Sequence, residues 1–232
     1  MQVQPVPPSV STKLKTLALG DHLCLFYDQP AEQLAITAEY LALGLQRGER
    51  CLYVSDVAMI VALRATLAEA GLDVKQERAR GALVLLTTDE AHLTGGRFDA
   101  EGMLAMLGRA VDSALAAGFT GLRAAGDMSW LLDDKPGSDQ VLEYEALLNE
   151  FYPRFPALGL CLYDRRRLHP LALEGALRAH PTTFIGDRCC EHNPFYEPPD
   201  VFFERIDQRE RFEWKLGRLQ GVRSASPATA QA

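Results

Sequence analysis

The sequence predicts an α/β fold of three layers, in which helices cover both faces of a mostly parallel β-sheet, followed by a C-terminal helix. Short apolar runs flanked by Gly, Asp or Pro alternate with longer amphipathic segments, a pattern typical of repeated strand–helix–strand units. The 232 residues, 47% of them hydrophobic and 24% charged, suffice for one such domain with a buried core.

The elements follow in order from these runs. The expected strands are His22–Tyr27, Cys51–Ser55, Ala82–Thr87, Gly121–Ala125, Gly159–Tyr163 and Thr183–Ile185. The expected helices are Ala31–Arg47, Val57–Ala70, Ala100–Ala117, Asp139–Phe151 and Pro170–Ala179. The first of these helices carries apolar residues at 34, 38, 41 and 45, which share one helical face. Gly71 and Gly118 are typical C-terminal stops.

The two ends of the chain differ in composition from this middle part. Residues 1–15 are rich in Pro, Ser and Val and are expected to form a flexible N-terminal arm. The globular domain is expected over 16–200. Residues 201–222 combine Arg, Glu and aromatic residues, which predicts an amphipathic linker or docking helix, and 223–232 are expected to be a disordered tail.

Charge and composition argue against several functional classes. A net charge of −7 disfavours direct binding to nucleic acid or to an anionic membrane surface. No stretch approaches the ~18 apolar residues of a membrane span, and the N-terminus lacks a signal-peptide pattern, so we expect a cytoplasmic protein. The five cysteines have no regular spacing and do not indicate a disulfide framework.

Neither a cofactor nor a metal is expected from the motifs. The loop after the first strand, residues 28–34, has no Gly and no Lys but carries Asp28 and Glu32, which would repel a triphosphate. Ordinary ATP binding there is therefore disfavoured. The run Cys189-Cys190-Glu191-His192 contains metal-ligand types, but adjacent cysteines chelate one tetrahedral ion poorly.

Polar residues near the ends of the predicted strands are candidates for a binding site. His22 and Cys24 are two residues apart and share one face of the first strand. They would bind a metal or line a pocket as a polar and thiol pair, or form a buried histidine bonded to the backbone beside an apolar cysteine. Two residues alone do not complete a zinc site, which takes about four ligands. Asp127 and Trp130 follow the fourth strand and would either line a pocket or be a loop acid and a core tryptophan.

The next helix and strand offer further candidates. Glu145 and Asn149 are four residues apart on one helical face, which in isolation is typical of a solvated surface. Cys161 and Tyr163 share a face of the fifth strand, and Asp164 stands at its carboxyl end.

Taken together, these segments resemble the MEDS family, the methanogen/methylotroph sensory domain named for the DcmR regulator. The resemblance runs from about residue 17 to 203, and the passage over 44–55 is similar to RecA/KaiC-type ATPases. The motifs that carry it are GDHLCLFYD (20–28), LQRGERCLYVSD (45–56), AAGDMSW (124–130), EYEALLNEF (143–151), LCLYDRRRL (160–168), RAHP (178–181) and NPFYEPP (193–199).

The resemblance implies a RecA/KaiC-like fold with a degenerate phosphate loop, and a sensor of simple hydrocarbon derivatives such as methanol, methylamines or halomethanes. It implies as partners a small organic ligand and a histidine kinase or transcriptional regulator module, and a homodimer stays open. The ligand-binding positions it implies are His22, Cys24, Asp127, Trp130, Glu145, Asp164 and His180. One departure is Asp127, where the family pattern has Glu.

We therefore expect a non-catalytic sensor whose ligand binds beyond the carboxyl edge of the sheet. A nucleotide-binding RecA-like switch or ATPase is one alternative, and a ligand-free protein-interaction module is another. Thiol sensing by Cys24, Cys189 or Cys190 is a third, and it requires a lowered thiol pKa.

Overall fold

The computed structural model of the chain describes residues 5–133 and 135–204. The strands are His22–Tyr27 (β1), Arg50–Ser55 (β2), Leu83–Thr87 (β3), Leu122–Asp127 (β4), Ala157–Asp164 (β5), Thr182–Ile185 (β6) and Arg188–Cys190 (β7). The α-helices in this part of the chain are Pro8–Leu14 (α1), Pro30–Gln46 (α2), Val57–Glu69 (α3), Val74–Ala79 (α4), Ala100–Ala116 (α5), Val141–Phe151 (α6) and Pro170–Ala179 (α7). A helical turn over 199–204 follows.

The strands form one sheet in the order β3-β2-β4-β5-β1-β6-β7. All pairs are parallel except β6 with β7, which is antiparallel. In the centre of the sheet, β1 lies beside β5 with Cys24 opposite Cys161. The predicted fold class is therefore confirmed.

Each face of the sheet is buried under its own set of helices, which makes three layers. The core on one face combines inward residues of α1, α2 and α3, such as Leu14, Ile36 and Leu63. The core on the other face combines residues of α5 and α6, such as Leu107 and Tyr144, with Ala176 from α7. We call these the α2 face and the α6 face.

The expectation of a flexible arm over residues 1–15 is wrong for Pro8–Leu14. These residues form α1, in which Pro occupies the first turn, where it lacks no hydrogen bond that the helix would use. Val10 and Leu14, one turn apart, are fully buried against the α2 face. The hydrophobic pair at i and i+4 outweighs the turn-forming composition around it.

The C-terminal part of the domain packs onto α6 and α7. Phe202 is buried against Ala146 and Ala179. The guanidinium carbon of Arg178 lies 5.1 Å from the centre of the Phe202 ring. The expected helix over 201–222 is seen over residues 201–204, and its remainder and the tail lie outside the described residues. Of the helices described, none is both long and apolar enough to span a bilayer.

Candidate functional site

Four ligand-type side chains meet on the α6 face and are buried there: His22, Glu145, Cys161 and His180. His22 begins β1, Cys161 lies in the middle of β5, Glu145 lies on α6, and His180 is the residue that ends α7. One donor atom from each lies within 4.8 Å of all the others. We call this set the His-Glu-Cys cluster. Residues far apart in sequence thus share one polar site inside an apolar layer.

The ring of His22 is oriented by Asn149. Nδ2 of Asn149 donates to the carbonyl oxygens of Glu145, at 3.2 Å, and Ala179, at 2.7 Å. The other amide atom, Oδ1, is therefore an acceptor, and it lies 3.0 Å from Nδ1 of His22. Nδ1 must carry the proton of a neutral ring, which turns an unprotonated Nε2 toward Oε2 of Glu145 at 3.3 Å.

The ring of His180 is oriented in the same way. Its Nδ1 lies 2.7 Å from the carbonyl oxygen of Ala176, which can act only as an acceptor. Nε2 of His180 consequently faces the same Oε2 of Glu145, at 3.2 Å. The other carboxylate oxygen, Oε1, accepts a hydrogen bond of 2.6 Å from the hydroxyl of Tyr163.

The cysteine completes the group. Sγ of Cys161 lies 3.4 Å from Oε2 of Glu145 and 3.7 Å from Nε2 of His22. Burial raises the pKa of the Cys161 thiol to about 12, and the Glu145 charge adds to this. In the protein as described, Cys161 is therefore protonated at neutral pH, unless a cation replaces the proton.

Burial and mutual proximity shift the other groups in opposite directions. Burial and the neighbouring His180 lower the pKa of His22. Burial opposes a charge on His180, yet Cys24 and Glu145 outweigh it and raise the His180 pKa. Burial alone would raise the pKa of Glu145, but the two imidazoles, His180 first, lower it. The cluster thus favours an ionised carboxylate beside one positive charge.

Cys24, another predicted site residue, lies beside this cluster. Its side chain is on the α6 face of β1, as the shared parity with His22 predicts. Sγ lies 3.6 Å from Oγ1 of Thr183. Four of the seven predicted ligand-binding residues, His22, Cys24, Glu145 and His180, are therefore together.

The other two acids lie on the opposite face. Ser55 donates to Oδ2 of Asp127 at 2.8 Å, and Asp127 also accepts from the backbone amide of Ser129 at 2.9 Å. Asp164 caps the turn after β5 by accepting from the amides of Arg166 and Arg167. By strand parity both acids face the α2 side. The structure does not bring together the five residues expected around a ligand at the carboxyl edge, which are His22, Cys24, Asp127, Trp130 and Asp164. Strand parity puts the two acids on the α2 side, and His22 lies at the amino end of β1.

Trp130 belongs to the α6 face. Its ring stacks on Phe98 with centroids 5.1 Å apart and lies 5.6 Å from the ring of His92. The outer edge of Trp130 lines a cleft of about 400 Å³ at the carboxyl edge, together with Thr88 and Arg167. Trp130 therefore packs in the core and also lines a cleft, as the two alternative predictions for this residue stated separately.

A small cavity adjoins the His-Glu-Cys cluster on the α6 face. Its volume is about 30 Å³, and Cys161, a member of the cluster, forms part of its wall. Its wall is largely apolar, with Met103 and Leu107 of α5 on one side and Gly126 of β4 on the other. His92 also lines it, and the buried Nδ1 of this histidine has no hydrogen-bond partner among the described residues. We call this space the His92 cavity.

Sequence reasoning missed His92 and did not assign a role to Cys161. The alternation of side chains along β5 predicts only that Cys161 shares a face with Tyr163. Its position beside His22 results from the pairing of β5 with β1, which the sequence does not reveal. His92 lies in an irregular segment after β3, where no period marks a residue as buried. Hence no sequence signal distinguished it.

Within the described residues, neither the loop after β1 (28–34) nor the cysteine pair at 189–190 forms a buried cluster of ligand-type side chains like the His-Glu-Cys cluster. Asp28 is paired with Arg165 through an Nε to Oδ1 bond of 2.6 Å, and its amide donates to Glu32 at 3.0 Å. Acidic side chains thus occupy the position where a nucleotide site needs phosphate donors. Cys190 and His192 are exposed near the sheet edge.

The fold resembles that of a protein of known structure. The chain aligns with a KaiC-like protein of the archaeon Pyrococcus horikoshii OT3 with a TM-score of 0.51 and 13% identity, over 72% of this chain and 71% of that chain. The architecture is therefore of the RecA/KaiC-like class.

The family is narrower than the fold. The model of the MEDS domain, the methanogen/methylotroph, DcmR sensory domain, matches residues 21–181. The transcriptional repressor DcmR of Methylorubrum extorquens is 30% identical over 185 residues, which cover 77% of this chain and 67% of that protein. The chain belongs to the MEDS family of sensory domains, and its role is sensory or regulatory.

Proposed function

We propose that this domain senses a small organic molecule without transforming it, and that the ligand binds in the His92 cavity beside the His-Glu-Cys cluster. The observation that carries the proposal is a largely apolar cavity lined by His92, a buried histidine whose Nδ1 has no hydrogen-bond partner among the described residues. A buried polar atom without a partner costs free energy, which a ligand hydroxyl or amine would recover.

The size of the cavity restricts the ligand class. One water needs roughly 10–15 Å³ measured in this way, so about 30 Å³ admits a molecule of two or three non-hydrogen atoms. Methanol, methylamine and a halomethane meet this limit, and each presents an apolar carbon with one polar or polarisable end. Larger metabolites would require the side chains of α5 and α6 to move apart.

The loop after β1 favours small-molecule binding over a nucleotide-dependent function. The acids Asp28 and Glu32 hold the first loop through Arg165 and a backbone amide. A triphosphate would meet two carboxylates there instead of backbone donors and a lysine. Of the seven positions predicted for ligand binding, we retain His22, Cys24, Glu145 and His180 as the polar group beside the cavity, which Cys161 connects to its wall. Trp130 is retained as a support for His92.

The relay is proposed to run through the C-terminal segment. Phe202 packs on Ala146 and Ala179, which directly follow Glu145 and precede His180 in the chain. A ligand that shifts α6 against α7 would therefore change the packing contacts of Phe202. The proposed recipient is a histidine kinase or a transcriptional regulator module, reached through the linker that begins at residue 201.

Filling the cavity tests the proposal. A Cβ at Gly126 would meet the His92 ring at 3.5 Å, an ordinary contact, so Gly126→Ala is expected to fold and to occupy the ligand space. Gly108→Ala on α5 adds the same methyl where nothing lies within 4 Å, and it serves as the matched control. Thermal unfolding of the full chain is measured with methanol, methylamine, dichloromethane and ATP with Mg²⁺.

One of the three small compounds should raise the Tm of the wild-type chain and of Gly108→Ala, by roughly 5–10 °C at a hundredfold excess over Kd. Gly126→Ala should lose that shift while keeping a cooperative transition. A shift of equal size in Gly126→Ala would place the ligand elsewhere and overturn the proposal. A shift with ATP alone would favour the nucleotide-binding alternative.

A further inference from the structure

The His-Glu-Cys cluster poses a problem of lone pairs. The hydrogen bonds to Asn149 and Ala176 place the ring protons of both histidines on Nδ1. Their Nε2 lone pairs therefore point at Oε2 of Glu145, which itself carries lone pairs and negative charge. Three acceptors directed at one another repel unless a positive charge lies between them.

A proton on His180 supplies that charge incompletely. Although Nε2 of His180 is 3.2 Å from Oε2 of Glu145, it makes no hydrogen bond of acceptable geometry to any described residue. A shared proton would align the N–H with the carboxylate oxygen. Nε2 of His180 is buried, so bulk water does not supply the missing partner.

The separations match those around a tetrahedral ion. Bonds of about 2.0–2.1 Å to nitrogen and oxygen and about 2.3 Å to sulfur put neighbouring donor atoms roughly 3.3–3.6 Å apart. Around Glu145 Oε2 the observed separations are 3.3 Å to His22, 3.2 Å to His180 and 3.4 Å to Cys161. The edge from Cys161 to His22 is 3.7 Å.

The outer contacts are those that metal ligands make. A histidine ligand donates its second ring nitrogen to a carbonyl or carboxylate, and a carboxylate ligand is held by a hydrogen bond to its other oxygen. Here Nδ1 of each histidine meets such an acceptor, and Tyr163 holds Oε1 of Glu145 at 2.6 Å. All four donor side chains are buried, so bulk water does not compete for the ion.

We propose that His22, Glu145, Cys161 and His180 bind one divalent cation of the zinc class through Nε2, Oε2, Sγ and Nε2. Two imidazoles, a thiolate and a carboxylate in a tetrahedral arrangement suit Zn²⁺ better than Mg²⁺ or Ca²⁺, which prefer oxygen ligands. Binding releases two protons to solvent, that of the Cys161 thiol and the Nε2 proton of a charged His180, so the net charge of the site does not change. The ion joins β1, β5, α6 and the end of α7, and its cysteine ligand forms part of the wall of the His92 cavity.

Metal binding can be tested independently of the proposed organic ligand, because the metal content of the chain can be measured in the absence of that ligand. The full chain is purified without chelators, dialysed against metal-free buffer and analysed for bound metal by elemental mass spectrometry. Cys161→Ser removes the sulfur donor. Cys51→Ser is the matched control, since Cys51 is an equally buried cysteine on the α2 face of the sheet.

About one zinc per chain is expected for the wild type and for Cys51→Ser, with a loss of at least tenfold in Cys161→Ser. In case Cys161→Ser does not fold, the wild-type chain is also loaded with Co²⁺, whose absorption spectrum reports a thiolate ligand and tetrahedral geometry. A wild-type chain that retains no metal and gives an octahedral Co²⁺ spectrum would overturn the proposal. Equal zinc in both folded variants would do so too, because the ion would then lie at other residues such as Cys190 and His192.

Discussion

The imidazole rings of His22 and His180 lie with their centroids 4.2 Å apart, although one begins the first strand and the other ends the last long helix. Two positive rings at this distance in a buried layer would repel strongly. The pair is therefore compatible with one shared charge, which the carboxylate of Glu145 neutralises from the adjoining helix. The same geometry makes the packing of α7 against β1 depend on what occupies the space between the rings.

The carboxylate of Glu145 is expected to be essential for stability. Glu145→Ala leaves two buried imidazoles without their anion and the Tyr163 hydroxyl without its acceptor, so we expect a loss of roughly 3–5 kcal/mol in the free energy of unfolding. Urea unfolding followed by circular dichroism measures this. Glu143→Ala, an exposed site on the same helix, should change the free energy by no more than about 0.5 kcal/mol. Similar small losses in both variants would contradict a stabilising cluster.

A second buried ion pair supports the opposite face of the sheet. Nε of Arg123 lies 2.5 Å from Oε2 of Glu49, and the guanidinium stands 4.6 Å from the centre of the Tyr40 ring. Arg123→Met leaves the Glu49 carboxylate buried and unpaired, which should cost roughly 3–5 kcal/mol. The double variant with Glu49→Leu removes both charges and should recover most of that loss.

A double-mutant cycle separates these effects. The free energy of unfolding is measured by urea for the wild type, each single variant and the double variant. The coupling between Arg123 and Glu49 should be at least about 1 kcal/mol, since the two side chains share a buried contact. Additive losses would show that the pair acts through packing alone.

His92 should make stability sensitive to acid. Burial lowers its pKa to about 4, with Glu145 opposing the shift, whereas an unfolded histidine titrates near about 6.5. The folded chain therefore holds His92 neutral while the unfolded chain binds a proton. The resulting stability is complete above pH ~6.5 and is lost as the pH falls toward 4.

His92→Gln removes this contribution. Between pH 7.5 and 4.5 the wild type should lose roughly 2–3 kcal/mol more than the variant, as measured by urea unfolding at several pH values. Thr94→Ala, an exposed change in the same segment, should keep the wild-type pH dependence. Parallel curves for the wild type and His92→Gln would show that His92 becomes protonated in the folded chain at its ordinary pKa.

The strands and the fold were predictable because their signals are local. The apolar run His22–Tyr27 matches β1 at both ends, and Pro170–Ala179 matches α7. The site was less predictable. The alternation of side chains along β1 predicts that His22 and Cys24 share one face. Which residues of β4 lie on that same face of the sheet depends on strand order and register. Gly126 pairs with Cys161, and this turns Asp127 to the other side of the sheet.

The helix α1 shows a second limit. Its composition of Pro, Ser and Thr is typical of a loose segment, and the signal for burial is the single pair Val10 and Leu14. Tertiary contact with the α2 face supplies the stability that local propensity lacks. The same applies to His92, whose burial comes from Phe98 and Trp130 packing over it.

The last prediction concerns the route from the cavity to the C-terminal segment. Phe202 is 1% exposed and lies against Ala146 and Ala179, and its amide donates to the carbonyl of Pro198 at 2.9 Å. Phe202→Ala removes the side chain that fixes this turn to α6 and α7. We expect amide exchange over residues 198–204 to become at least about tenfold faster, equivalent to about 1.4 kcal/mol.

Hydrogen exchange tests whether Phe202 also carries the signal, with and without whichever of methanol, methylamine and dichloromethane raises the Tm of the wild type. In the wild type and in Phe195→Ala, whose side chain is 62% exposed, that compound should change the exchange of residues 198–204. In Phe202→Ala its thermal shift should persist, because the His92 cavity is untouched, while the change in exchange disappears. Retention of that change in Phe202→Ala would mean that α6 and α7 communicate with the C-terminal segment through other contacts, such as the pair of Arg178 with Glu197 at 2.6 Å.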